Sequence, residues 1–188
     1  MLNLDNALEI TDFYQVLFNN VEIDLGKKAQ TRLNESFEFL KDFSNNKIIY
    51  GVNTGFGPMA QYKIQDEDKI KLQLNLIRSH SSGAGALMDP LYVKSLMLAR
   101  LNTLCLGKSG IHSSVAETLS TLINEEVTPV IFEHGGVGAS GDLVQLAHLA
   151  LVLIGEGEVI YKGKRRETKV VFDELNIQPA KIKIREGL

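Results

Sequence analysis

Tryptophan is missing from the chain, cysteine occurs once and proline four times in 188 residues. With Cys105 alone, no disulfide can form within the chain, so a cross-linked secreted scaffold is excluded and a reducing, cytoplasmic setting is expected. Average usage would give roughly nine prolines, and the shortfall argues against a disordered or low-complexity chain. Strong net charge is also missing, because 20 Lys and Arg nearly balance 23 Asp and Glu. The most basic run is the one from Lys162 to Arg166. The attraction that supplies most non-specific nucleic-acid affinity is therefore absent, and no nucleic-acid partner is expected. The amino terminus, Met1-Leu-Asn-Leu-Asp-Asn-Ala-Leu-Glu9, has acidic residues where a secretory signal would carry Lys or Arg. The longest apolar stretch, 143–154, contains Gln145 and His148 and is too short to span a bilayer, so no membrane partner is expected.

What the chain does have is apolar residues, 44% of the total, enough for a sizeable core. Their spacing is mostly helical. Asp89 followed by Pro90 is a helix start, since the carboxylate can accept free backbone N–H groups and proline at the first helical position loses nothing. That helix runs through 91–106 and stops at Gly107. Ser114-Val-Ala-Glu117 has capping-box spacing and opens a helix with Val115, Leu119, Leu122 and Ile123 on one side. Leu33, Phe37, Leu40 and Phe43 mark an earlier amphipathic helix, and Ile70, Leu74 and Ile77 a stripe on a helix over 66–80. Strand signals are short: 47–52, 128–132, and a hairpin of 159–161 with 164–168. The expectation is a mainly α fold with short strands and a hairpin.

Glycine is slightly abundant and unevenly placed. Gly51, Gly55 and Gly57 fall within seven residues, and Gly135, Gly136, Gly138 and Gly141 within another seven. Such clusters imply backbone held in unusual shapes. The second, His134-Gly-Gly-Val-Gly-Ala-Ser-Gly-Asp142, supports three readings. One is a turn into a helix, with Asp142 and Gln145 at capping-box spacing and Leu143, Leu146, Ala147 and Ala150 on the buried face. Another is a dinucleotide-binding module, since Gly136, Gly138 and Gly141 match G-x-G-x-x-G. Against it, Glu133 and His134 interrupt the strand that should feed the first glycine, and the preceding chain lacks alternating strands and helices.

The third reading starts from Ala139-Ser140-Gly141. The nitrogen of Gly141, with no Cβ in the way, can attack the carbonyl carbon of Ala139 if the chain bends tightly. Ser140 can then lose its hydroxyl and α-proton. Loss of two waters gives a methylidene-imidazolone, an electrophile that no ordinary side chain provides.

Three segments carry a resemblance at this point: Tyr50-Gly-Val-Asn-Thr-Gly-Phe-Gly57, Leu72-Gln-Leu-Asn-Leu-Ile-Arg-Ser-His-Ser-Ser-Gly83, and Gly135-Gly-Val-Gly-Ala-Ser-Gly-Asp-Leu-Val-Gln-Leu-Ala-His148. Together with Ala99-Arg-Leu-Asn-Thr-Leu104, they make the sequence resemble the aromatic amino-acid ammonia-lyases, the histidine, tyrosine and phenylalanine lyases. The resemblance implies that Ala139, Ser140 and Gly141 cyclise autocatalytically, with no metal and no external cofactor, and that Gly57, Gly136, Gly138 and Asp142 support the loops. It implies that Tyr50 removes the substrate β-proton. A free phenol titrates near ~10 and is a poor base at neutral pH, so such a site would have to favour the phenolate. It further implies that Ser79 and His80 face the substrate side chain. Ser-His at that pair is typical of the histidine lyases, and a histidine there can also serve a phenol. The expected reaction is loss of ammonia from an aromatic L-amino acid, L-histidine first and L-tyrosine second.

The resemblance also implies a longer homotetrameric enzyme whose later part holds a helical bundle, a second catalytic tyrosine and a carboxylate-binding arginine. Residues 1–188 are then expected to be the amino-terminal prosthetic-group domain, with that bundle absent and no turnover from the piece alone. His112 is expected in a loop, His134 beside the glycine loop, and His148 and Cys105 within helices.

Overall fold

The computed structural model describes residues 1–45, 47–136 and 143–187. The central element is helix α4, Pro90–Cys105, and its boundaries follow from local chemistry. The Asp89 carboxylate accepts the Leu91 N–H at 2.8 Å, Pro90 occupies the first turn, and Gly107 takes φ +67° just past the end. Around α4 pack α1 (Ile10–Phe18), α2 (Lys27–Ser44) and α5 (Ser113–Asn124). Leu98, Leu101, Leu119 and Leu122 are fully enclosed between them. Truncating a leucine so placed to alanine typically costs ~2–5 kcal/mol, so this helical layer is what fixes the scaffold.

A second layer is made by α3 (Lys69–His80) and α6 (Leu143–Leu153), which pack against each other. Short strands complete the chain. β1 (Leu2–Asn3) runs parallel to β2 (Ile23–Asp24), and β3 (Ala84–Leu87) antiparallel to β5 (Phe132–His134). β4 (Thr128–Pro129), β6 (Glu158–Tyr161) and β7 (Lys164–Glu167) form an antiparallel sheet backed by α7 (Thr168–Leu175). The expected hairpin is β6–β7, turned by Lys162 and Gly163, both at positive φ. Among the described residues no helix is long and apolar enough to cross a membrane.

The mainly α expectation holds, and the architecture is not a doubly wound sheet. Among the described residues the only parallel pair is two residues long, and the strand leading toward the glycine cluster pairs antiparallel. That removes the scaffold the dinucleotide-binding reading requires.

Several local expectations are corrected. Residues 47–52 form turns rather than a strand, because Asn53 satisfies their backbone: its Oδ1 accepts the Ile49 N–H at 2.8 Å and its Nδ2 donates to the Lys47 carbonyl at 2.6 Å. The run 128–132 splits into β4 and the start of β5. The first turn of the 66–80 segment is a 3₁₀ helix, Asp66–Asp68, and Ile70 is exposed while Gln73 is buried in its place. The cap of α5 is His112, whose Nδ1 accepts the Ser114 N–H at 3.2 Å, rather than Ser114 itself. Phe43 lies exposed, stacked on Phe39 with the Lys47 ammonium 3.5 Å above its ring.

Candidate functional site

The Tyr50 segment is held by an antiparallel bridge of Thr54 to Lys63, with the Gly55 N–H on the Tyr62 carbonyl at 3.1 Å and the Ile64 N–H on the Asn53 carbonyl at 2.9 Å, and by its own polar side chains. Asn53, almost fully buried, also donates to the Ser44 carbonyl at 3.2 Å. The hydroxyl of Thr54 accepts the Gly51 N–H and donates to the Gly55 carbonyl. These bonds present Tyr50 on the outside of the turn, exposed, its ring edge-on to Phe56 at 5.8 Å. The Gly57 N–H donates to the phenolic oxygen at 3.0 Å. The oxygen therefore acts as an acceptor, and its own hydrogen is available to a bound molecule.

Helix α3 carries the next groups. His80 is its last residue, and His80 Nδ1 lies 2.9 Å from the Leu76 carbonyl, which can only accept. In the neutral ring the proton is thereby assigned to Nδ1, and Nε2 is left as an acceptor. Ser79 lies on the exposed side; its hydroxyl donates to the same carbonyl at 3.1 Å and sits 3.1 Å from His80 Nδ1. Among the described residues His80 lines the adjoining cavity and Ser79 does not, so the serine acts on the ring rather than on the space beside it.

That cavity, about 380 Å³, lies between α3, α5 and α6. Its walls are mostly leucine, isoleucine and valine, with Tyr50 and His80 on one side and Arg100 and Glu186 also reaching it. A volume of this order takes a small organic molecule with most of its surface enclosed. The face of α6 expected to be buried, Leu143, Leu146, Ala147 and Ala150, is the cavity wall, and Leu143 is exposed there. Arg100 has no hydrogen-bond or ion-pair partner among the described residues, and burial, with Arg185 nearby, lowers the pKa of its guanidinium. The Glu186 carboxylate is occupied by backbone, accepting the His112 and Lys183 N–H groups at 2.9 and 2.7 Å.

Gly138, Ala139, Ser140, Gly141 and Asp142 lie outside the described residues. The chain on either side of them is described. Gly136 is exposed, and a Cβ at Gly135 would fall 2.5 Å from Cγ1 of Val144, so only glycine lets the end of β5 approach α6 this closely. Among the described residues no three His, Cys, Asp or Glu side chains gather into a metal set.

His148, inside α6 as expected, ties the two cavity helices together. Its Nε2 accepts the Gly83 N–H at 3.0 Å, three residues beyond His80, and its ring packs on Phe132 at 5.4 Å. Accepting that bond requires the neutral ring, and burial lowers its pKa below the ordinary histidine range. The unfolded chain takes up this proton as pH falls through ~6.5 while the folded chain resists, so His148 makes stability fall with pH below that value. Urea midpoints measured from neutral pH downward should show this loss, and His148→Gln should flatten it. An unchanged slope in the variant would remove His148 from the account. Cys105, buried on α4, has its thiol pushed up to about 11 by burial, which makes it inert at neutral pH.

Gln73, Arg100, Glu186 and the bond made by His148 were not legible as site features in the sequence. Gln73 and Arg100 did carry a signal, as polar residues set among apolar ones on helices, Gln73 between Ile70 and Ile77 and Arg100 between Met97 and Leu104. Glu186 and the partner of His148 depend on contacts between distant segments, which no local spacing reports.

The sequence model of the family described as aromatic amino acid lyase matches residues 8–188. A probable histidine ammonia-lyase of Thermoplasma volcanium is 38% identical over the whole of this chain, which spans 38% of that relative's length. Among solved structures, the tyrosine aminomutase of Streptomyces globisporus superposes with a TM-score of 0.91 at 34% identity, over 100% of this chain and 35% of that one. The histidine ammonia-lyase of Trypanosoma cruzi gives 0.88 at 31% identity, over 100% and 37%.

Proposed function

Because the chain belongs to the aromatic amino acid lyase family, we propose that residues 1–188 are the prosthetic-group-forming part of an ammonia-lyase that converts L-histidine to trans-urocanate and ammonia. The observation that carries the reading is that Tyr50 and His80, on separate segments, line one apolar cavity that is also lined by α6, whose first described residue, Leu143, follows Asp142 in sequence. Ala139, Ser140 and Gly141 would form the methylidene-imidazolone, which supplies an electrophile to the site. The described surroundings fit such a group: glycine at 135 admits the close approach to Val144, and Leu143 already stands in the cavity wall.

This chain's own residues divide the remaining work. The apolar walls exclude water and hold an aromatic ring. Having first lost its own proton to solvent, to which it is exposed, the oxygen of Tyr50 accepts the β-proton as a phenolate while the Gly57 N–H holds that oxygen in place. His80 offers Nε2 to a hydrogen-bond donor on the substrate ring, so a side chain with N–H or O–H is preferred over a bare phenyl ring. The same acceptor suits a phenol, which favours L-tyrosine as the second substrate. The complete enzyme would be a cytoplasmic homotetramer whose other segments finish the site, and the 188-residue chain alone would show no turnover.

Intact mass and turnover test this together. In the complete folded enzyme, the peptide containing 139–141 should be lighter by two waters, and ammonia release should be faster from histidine than from tyrosine or phenylalanine. An unmodified mass in active enzyme would remove the prosthetic group, and faster turnover of tyrosine would reverse the substrate order. Ammonia release from the purified 188-residue chain would show that the site needs no other segment.

A further inference from the structure

Gln73 is fully buried and uses both ends of its amide. Nε2 donates to the Gly51 carbonyl at 3.0 Å, and Oε1 accepts the Gly187 N–H at 2.8 Å. One partner can only accept and the other only donate, so the orientation of the amide is fixed, and turning it over would break both bonds. The side chain thus joins the Tyr50 turn to the 183–187 segment, and Tyr50, Glu186 and Gly187 of those two segments line the cavity. The contact is tight: a Cβ at Gly187 would fall 2.7 Å from Gln73 Oε1 and 2.8 Å from the Gln73 carbonyl oxygen. The 183–187 segment is itself pinned by the Glu186 carboxylate on the His112 N–H.

The far side of the turn bridges Lys63 through Thr54, and the bond to Gly51 ties its Tyr50 side to α3, the helix that ends in His80. Seven residues separate Gln73 from His80, about 10 Å along the axis. The same rigid helix therefore sets the position of the phenol and of the histidine ring. We propose that Gln73 is a positioning residue of the reaction: its amide registers the Tyr50 turn against α3 and the 183–187 segment, so that Tyr50 and His80 address the same bound molecule. This rests on the reading of Tyr50 as the proton acceptor.

Two substitutions in the complete enzyme test it. Gln73→Met keeps the volume and removes both bonds. A displacement on the order of 1 Å costs about 10²-fold in rate, so kcat should fall by about that factor while KM changes little. Gln73→Glu keeps an acceptor for Gly187 but, as a carboxylate, has no hydrogen for Gly51. Protonation restores that hydrogen, so its kcat relative to the unsubstituted enzyme should recover as pH falls, a profile that loss of packing alone would not produce.

Amide exchange gives a readout without turnover. The Gly187 N–H should lose protection in Gln73→Met and keep it in Gln73→Glu. Normal kcat in both variants, or a Gln73→Glu profile parallel to that of the parent enzyme, would overturn the proposal. If Gln73→Met does not fold, the Gln73→Glu profile decides. Retained turnover in Tyr50→Phe would sink the base reading and this inference together. Loss of turnover in Tyr50→Phe with normal Gln73 variants would sink this inference alone.

Discussion

Exchange of Ser140 for alanine is expected to abolish the two-water deficit of the complete enzyme, leaving at most the one water of ring closure, and to cut ammonia release by at least about 10³-fold. The reason lies in the chemistry of the residue. Cyclisation through the Gly141 nitrogen needs only backbone, but the exocyclic C=C bond requires a hydroxyl to leave from the central side chain, and alanine has none. Enzymes commonly accelerate reactions by ~10⁶-fold or more, and the β-proton of an amino acid is so weakly acidic that loss of the electrophile should remove much of that. Mass spectrometry of the 139–141 peptide and an ammonia assay on the same sample check both halves. A variant that remained active without the two-water deficit would show that the electrophile is not made from these three residues.

Tyr50→Phe is expected to keep the two-water deficit and lose turnover. The substitution removes one oxygen and leaves the edge-to-face contact with Phe56 available. The Gly57 N–H, on an exposed residue, can turn to water, so the fold should notice little. A positioned general base typically contributes ~10²–10⁴-fold, and kcat should fall by a factor in that range with KM little altered. Steady-state kinetics at saturating histidine measure it. A variant within threefold of the parent enzyme would move the proton-acceptor role to another group.

Both predictions start from residues the sequence already singled out, yet the sequence was an uneven guide to their surroundings. Helix α4 was legible because its signals are local: a carboxylate, a proline and a glycine at the right offsets, whose effects do not depend on distant chain. Residues 47–52 misled because β-branched and aromatic composition reports only a preference, and Asn53, through three bonds from one side chain, converts the segment to turns. On α3 the apolar period was read through Ile70 and Leu74, but the helix buries Gln73 because Gly51 and Gly187, more than twenty and more than a hundred residues away in sequence, bring partners for its amide. At α5 the capping box gave the right helix and the wrong cap, since His112 can supply the acceptor that Ser114 also offers. Pairing of Tyr50 with His80 in one cavity depends on how the Tyr50 turn sits against α3, through bonds such as that of Gln73 to Gly51, which no spacing along the chain encodes.

The position of His80 at the last residue of α3 has an evolutionary consequence. The described bonds of its side chain run only to its own final turn, to Leu76 and Ser79, so a different residue there would disturb little beyond that turn. Gln73, two turns earlier, is locked to two remote segments and cannot change without disturbing both. On the proposed reading, substrate choice and the placement of the proton acceptor thereby depend on one helix but come under separate mutational control: drift at its free end would retune which ring is accepted while the embedded end keeps the Tyr50 turn in place.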